Sequence, residues 1–258
     1  MRRCVSACLT CTLTRWRCCI AEGGGSGANP KRSTQHFAHS AQMAVGGKHV
    51  LVPDLGADKL WSLALSTADG SMSEAASWAA PPGSGPRHLA AHPNGRWVYL
   101  VTEMGCRVEP LLYDAQSGAI EPLAPSVSTL PADWPGTMTV EAGDSTGCTT
   151  ADIHVSPDGR FVYASNRLKA AEGLLAIFAI DAESGALTPS GHVGTGGETP
   201  RNFALHPSGD WIIVANQSTG NLVTFRVNKE SGGLTREGCG DPVEGLTSPL
   251  CIQFVPVA

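Results

Sequence analysis

Five side chains stand at fixed offsets from a turn that this chain repeats, and as a set they suit a negatively charged substrate. Counting back six residues from the turn proline reaches Arg87 (before Pro93), Ala151 (before Pro157) and Arg201 (before Pro207). Where Val45 takes the place of the proline, the same count reaches His39. Counting eight forward from the turn glycines reaches Leu55, Glu103, Arg167 and Gln217. Arginines present planar forks to phosphate or carboxylate oxygens. Glu103 or His39 could take a proton from water. Arg87 and Arg167 could bind the anion or steady the charge that develops on an attacked carbonyl. A carboxylate buried between two arginines titrates low and is a poor base, which tilts the base assignment towards His39. Arg201 adds an anion contact. Each residue also has a plainer role: Arg87 and Glu103 as an ion pair fixing a hairpin, Arg167 stacking on a neighbouring unit, Arg201 as a structural side chain. His36 competes with His39 in the stretch HFAHSAQ.

The elements that must position these residues are hairpins. In GPRHLAAHPNGRWVYLVTE, residues 85–103, two apolar runs flank a Pro-x-Gly turn. That pattern reads as an antiparallel pair whose entry and exit lie at one end, which brings Arg87 to Glu103. The pattern returns at Ser156-Pro157-Asp158-Gly159 and His206-Pro207-Ser208-Gly209, and in weaker form at Gly46-Gly47. The turn glycines Gly47, Gly95, Gly159 and Gly209 are 48, 64 and 50 residues apart. A second marker follows the hairpins from the second onward: Asp114 to Gly118, Asp181 to Gly185 and Asn228 to Gly232, each ending in Ser-Gly. Asp or Asn followed by Gly suits a tight turn. A period near 50 with about four short strands per unit is the mark of a β-propeller blade. The expectation is an all-β chain with blades over 36–84, 85–134, 149–198 and 199–248. PLCIQFVPVA, residues 249–258, would start a fifth unit with one strand. Residues 135–148 are a turn-rich insertion that accounts for the long step of 64. Four blades and a strand form an arc or a small strained ring. An open arc leaves sheet edges that invite self-association.

Composition narrows the field. The chain has 258 residues, 42% of them hydrophobic, enough for one all-β domain with a sizeable core. A net charge of −5 argues against a nucleic-acid surface, which needs a concentrated basic patch. No apolar run is long enough to span a membrane. Five of the nine cysteines fall in the first 19 residues, so the body carries no dense disulfide framework. Cys8-x-x-Cys11 is half of a zinc spacing without a second half. Asp54, Asp58 and Asp152 are channel or blade-tip carboxylates, but no dense oxygen-ligand loop surrounds them, and neither a metal nor another cofactor is expected. Residues 1–35 stand outside the repeat. Up to Ala21 they carry four arginines and no acid, then a Gly-rich stretch at 23–27 that reads as linker. This leader is an organelle transit peptide or a non-native start. The expected location is the cytoplasm, with plastid or mitochondrion the alternative if residues 1–21 are a transit peptide.

PDLGAD (53–58), GPRH (85–88), HPNGRWVYLVTE (92–103), ADIHVSPDGRFVYASNR (151–167) and TPRNFALHPSGDWIIVANQ (199–217) resemble the lactonase family of seven-bladed β-propellers. That family includes propeller-type 6-phosphogluconolactonases and fungal carboxymuconate cyclases. The resemblance covers 36–258 and implies a His, a Glu and two Arg at the channel mouth, where His39, Glu103, Arg87 and Arg167 fall on matching motif positions. It implies hydrolysis of a small anionic sugar lactone, 6-phosphogluconolactone above all. A muconate-type lactonising cyclase and a non-catalytic propeller that binds a protein partner are the alternatives. It also implies seven blades, so that two to three N-terminal blades are expected to be missing here.

Overall fold

The computed structural model describes residues 24–29, 32–134, 147–168 and 171–255. Residues 1–21, with Cys8-x-x-Cys11, and most of the insertion at 135–148 lie outside them. The described residues are strands and turns, without a helix. Four antiparallel sheets follow one another in chain order. The first holds β1 (Gln42–Met43), β2 (His49–Asp54), β3 (Lys59–Leu65) and β4 (Met72–Ala79). The second holds β5 (Pro86–Ala91), β6 (Trp97–Thr102), β7 (Arg107–Tyr113), β8 (Ile120–Pro122) and β9 (Val127–Ser128), the last two sharing β7 as their partner. The third runs through β10 (Cys148–Val155), β11 (Phe161–Leu168), β12 (Leu174–Ile180) and β13 (Leu187–Gly194). The fourth runs through β14 (Pro200–Leu205), β15 (Trp211–Asn216), β16 (Asn221–Val227) and β17 (Leu234–Thr235). These are the four expected blades.

Second strands such as β2 and β6 are buried along their whole length, which is why their apolar residues run on without alternation. Successive blades pack face to face. The core therefore lies as slabs between blades. Leu51, Leu60, Leu89 and Leu100 fill the first slab, Tyr99, Ile153, Val162 and Phe178 the next, and Tyr163, Phe203, Val214 and Phe225 the last. The second turn marker clasps these slabs. Gly185 has φ +72°, and a Cβ there would stand 2.7 Å from the Trp97 ring of the preceding blade. Gly232 meets Phe161 in the same way. The Tyr99 hydroxyl donates to the Gly185 carbonyl and the Tyr163 hydroxyl to that of Gly232, both at 2.9 Å. Glycine is needed there for its positive φ and for the ring pressed against it.

Among the described residues the expected lone strand of a fifth unit does not form. Residues 251–255 are irregular. Ile252 N–H donates to the Asn202 side chain at 2.6 Å, and Phe254 packs edge-on to His206. An apolar run becomes a strand only through a ladder of backbone bonds, and here the backbone meets a side chain of β14 instead.

The described part of the leader does not hang free. Residues 24–29 and 32–35 lie against the turn between β2 and β3. Gly24 bridges to Gln35, and Ser26 N–H donates to the Gly56 carbonyl at 2.8 Å. A Cβ on Gly25 would fall 2.0 Å from the Ser33 carbonyl oxygen, so this glycine serves close approach rather than flexibility.

Candidate functional site

Three of the four inner strands, β5, β10 and β14, break register at the position reached by counting back from the turn. The shifts fall between Pro86 and His88, between Thr150 and Ile153, and between Pro200 and Asn202. A bulge of this kind re-aims the extra side chain. Arg87 and Arg201 are the residues so placed. His39 occupies the matching stretch of the first blade, between the bridge Ala38–Asp54 and β1, with its N–H on the Pro53 carbonyl at 2.9 Å. Glu103 follows the end of β6, its N–H on the Gly85 carbonyl at 2.7 Å. Arg167 pairs with Thr149 near the end of β11.

These placements converge on one carboxylate. Arg87 Nε donates to Glu103 Oε2 at 2.8 Å. Arg167 Nη2 reaches the same oxygen at 3.3 Å. Arg32 Nη2, from the segment outside the blades, reaches Oε1 at 3.3 Å. Arg87 is 1% exposed, and its other arm donates to the Ala151 carbonyl, tying the second blade to the third. Ser40 Oγ–H holds the Arg87 carbonyl at 2.9 Å from the first blade. Arg201 stands further out, half-buried, with Nη1 3.4 Å from Gln217 Oε1.

The charges explain the protonation states. Burial alone would raise Glu103, but Arg167, Arg87 and Arg32 outweigh it and hold the carboxyl at about 2. Glu103 is a fixed anion. Arg87 falls to about 10, burial first and Arg167 next, which leaves it charged at neutral pH. Both partners fall, which favours the charged form of Glu103 and opposes that of Arg87. Arg87 carries the cost of burial with another cation beside it, so the attraction within the pair is read from Glu103. Burial lowers His39 to about 2, helped by Arg87, His88 and Arg201 against the pull of Glu103. His39 is therefore a neutral imidazole. Its Nδ1 is buried with no hydrogen-bond partner among the described residues, and so is Nε of Arg167. Three guanidiniums meet one carboxylate at this end of the blades, with Arg201 further out, an excess of positive charge beside an uncharged imidazole.

The structure thus gathers His39, Arg87, Glu103 and Arg167, with Arg201 at the edge. It separates His36, whose Nδ1 lies 2.7 Å from Asp54 Oδ2 and whose ring tilts on Trp61. The three aspartates are hydrogen-bond hubs. Asp54 accepts the Phe37, Gly56 and Ala57 N–H groups and the Trp61 indole. Asp58 accepts Ser26 Oγ–H and the Gly83 and Gly85 N–H groups, linking two blades. Asp152 faces His88, His154 and Asn202 and accepts the Phe203 N–H. Their oxygens are already taken up by N–H and O–H donors. Among the described residues no cluster of three His, Cys, Asp or Glu is placed to hold a metal ion. Nor is any helix there long and apolar enough to cross a membrane. Arg32 is the residue that sequence reasoning missed. It lies outside the repeat, so no turn counts to it.

Comparison with known proteins agrees with this fold. The family model described as "Lactonase, 7-bladed beta-propeller" matches residues 17–254. A 6-phosphogluconolactonase of Bacillus subtilis is 33% identical over 237 residues, covering 92% of this chain and 62% of that protein. One of Formosa agariphila is 35% identical over 82% of this chain and 57% of its own. The solved structure of a Pseudomonas aeruginosa periplasmic gluconolactonase superposes with a TM-score of 0.79 at 29% identity, covering 93% of this chain and 62% of that one. The chain spans about three fifths of the length of these relatives.

Proposed function

We propose that this chain, which belongs to the lactonase family of seven-bladed β-propellers, is a carboxylic ester hydrolase that opens a sugar lactone, 6-phosphogluconolactone to 6-phosphogluconate. The observation that carries the reading is the pairing of a neutral His39, its Nδ1 unpartnered, with a cluster of arginines around a carboxylate that stays ionised. The substrate is an anion with an electrophilic carbonyl. The arginine excess draws it in. Arg167, whose Nε is unpartnered, donates to the carbonyl oxygen and stabilises the oxyanion as water adds. Bound among these arginines, the substrate's own negative charge offsets part of the field that depresses His39, and His39 Nδ1 then takes the proton of the attacking water. When the ring C–O bond breaks, that proton goes to the departing ring oxygen, and the new acid ionises to the carboxylate. Glu103 stays ionised throughout and holds Arg87 and Arg167 in position.

The reading is tested by following acid release from 6-phosphogluconolactone against its spontaneous hydrolysis. Turnover by the chain that falls at least a hundredfold in Arg167→Ala is expected. A rate equal to the spontaneous one, or turnover untouched by that substitution, would sink the assignment.

A further inference from the structure

Arg32 differs from the other arginines of the site in three ways. It comes from outside the blades. Its side chain is 38% exposed, against 2% for Arg87 and 14% for Arg167. It also makes one long contact with Glu103, at 3.3 Å, where Arg87 makes a short buried one. A guanidinium has five N–H donors, and most of those on Arg32 stay available at the rim.

The backbone N–H groups of Arg32 and Ser33 are tied to Asn29. Arg32 N–H donates to Asn29 Oδ1 at 3.1 Å, and Ser33 N–H to the Asn29 carbonyl at 2.9 Å. Asn29 is itself tied through its N–H to Ser33 Oγ at 2.6 Å. Ser26 anchors the segment on Asp58, and the guanidinium lies over the Phe37 ring at 5.3 Å. A polar side chain on a mobile tail would lose much of its binding energy to ordering, whereas this one is already held. Glu103 keeps two partners without it, since Arg87 and Arg167 both contact Oε2.

We infer that Arg32 is the specificity-determining residue of the site: it binds a second anionic group of the substrate, a phosphate monoester remote from the carbonyl under attack. The inference rests on the lactone reading and deepens it. Arg87 and Arg167 act at the reacting end, inside the mouth. Arg32 acts at the far end, at the rim, and turns from Glu103 to the phosphate when substrate arrives. It is a binding residue, so its loss shows in KM and in discrimination between substrates rather than in the chemical step.

The test compares two lactones that differ only in the phosphate, 6-phosphogluconolactone and glucono-δ-lactone, on the wild-type chain, Arg32→Ala and Arg32→Lys. The expected result is a KM for the phosphorylated lactone raised about 10- to 100-fold in Arg32→Ala, the loss of one charge-assisted contact. For the neutral lactone kcat/KM should stay within about twofold, and Arg32→Lys should recover part of the loss. Equal falls on both lactones would assign Arg32 to holding Glu103 or the fold and would overturn the inference. No change on either would overturn it too. If the wild-type chain hydrolyses neither lactone, the catalytic reading fails separately. Calorimetric binding of 6-phosphogluconate and gluconate then decides: a phosphate preference that vanishes in Arg32→Ala upholds the subsite, and no preference in the wild type removes it.

Discussion

Replacing Glu103 by Gln removes one charge, keeps the shape, and leaves three arginines facing a neutral amide. The side chains of the central pair are 11% and 2% exposed, so water screens little of the loss. Glu103 titrates at about 2 in the fold against an ordinary value of 4.5. At 1.36 kcal/mol for each pH-unit of difference, the ionised form contributes about 3 kcal/mol. The cost of stripping one partner from a buried pair, about 3–5 kcal/mol, agrees. Because the folded carboxyl titrates below the unfolded one, this contribution is present in full above about pH 5 and is lost as pH falls towards 2. His39 adds an acid sensitivity of its own: the unfolded imidazole protonates near 6.5 while the folded one stays neutral to about 2. The quantity to read is therefore the difference between wild type and Glu103→Gln. Urea unfolding followed by tryptophan fluorescence at pH 7, 5, 4 and 3 supplies it. The variant should be about 3 kcal/mol less stable at pH 7, and the gap should narrow to about 1.4 kcal/mol at pH 3. A gap of the same size at every pH would locate the effect in packing. No gap at pH 7 would refute the ion-pair reasoning.

Two other outcomes follow from the same geometry. His39 is neutral throughout the physiological range, so kcat/KM for the lactone should show no rise centred near pH 6.5, and His39→Gln should lose most of the turnover with little change in urea midpoint; a limb at 6.5 would mean the imidazole is not held neutral by its burial and its cationic neighbours. Tyr163→Phe removes a buried hydroxyl that donates to the Gly232 carbonyl, and it should cost about 1 kcal/mol in the same unfolding assay while leaving KM unchanged.

How far the sequence could be read depended on how local the determining physics was. The turn glycines were legible because a positive φ is a property of single residues: Gly95, Gly159 and Gly209 stand at +74°, +74° and +75°. The meeting of Arg87 with Glu103 was legible because the two ends of a hairpin must lie together. The bulges that aim Arg87 and Arg201 were not, since a one-residue slip leaves no mark in composition. PLCIQFV misled because it has the apolar character of a strand, while strand formation is decided by whether another backbone is there to pair. Arg32 escaped because its position depends on Gly25 and Gly56 both lacking a side chain. A Cβ on Gly56 would meet the Gln35 carbonyl oxygen at 1.9 Å, a long-range fit that the repeat could not announce.

The aromatic-on-glycine clasps between successive blades bear on how the chain comes apart. Each clasp ties one blade only to the next: Trp97 to Gly185, then Phe161 to Gly232. Stability should therefore accrue link by link, as in a one-dimensional lattice, and opening should spread from an end rather than strike everywhere at once. The site is strung along that lattice, with His39 on the first link, Arg87 and Glu103 on the second, Arg167 on the third and Arg201 on the fourth. Fraying of the fourth blade would remove Arg201 and leave the Glu103 cluster assembled. Amide hydrogen exchange should accordingly grade from fast in β14–β17 to slow in β6 and β11, and the site would lose its members in the order of that gradient.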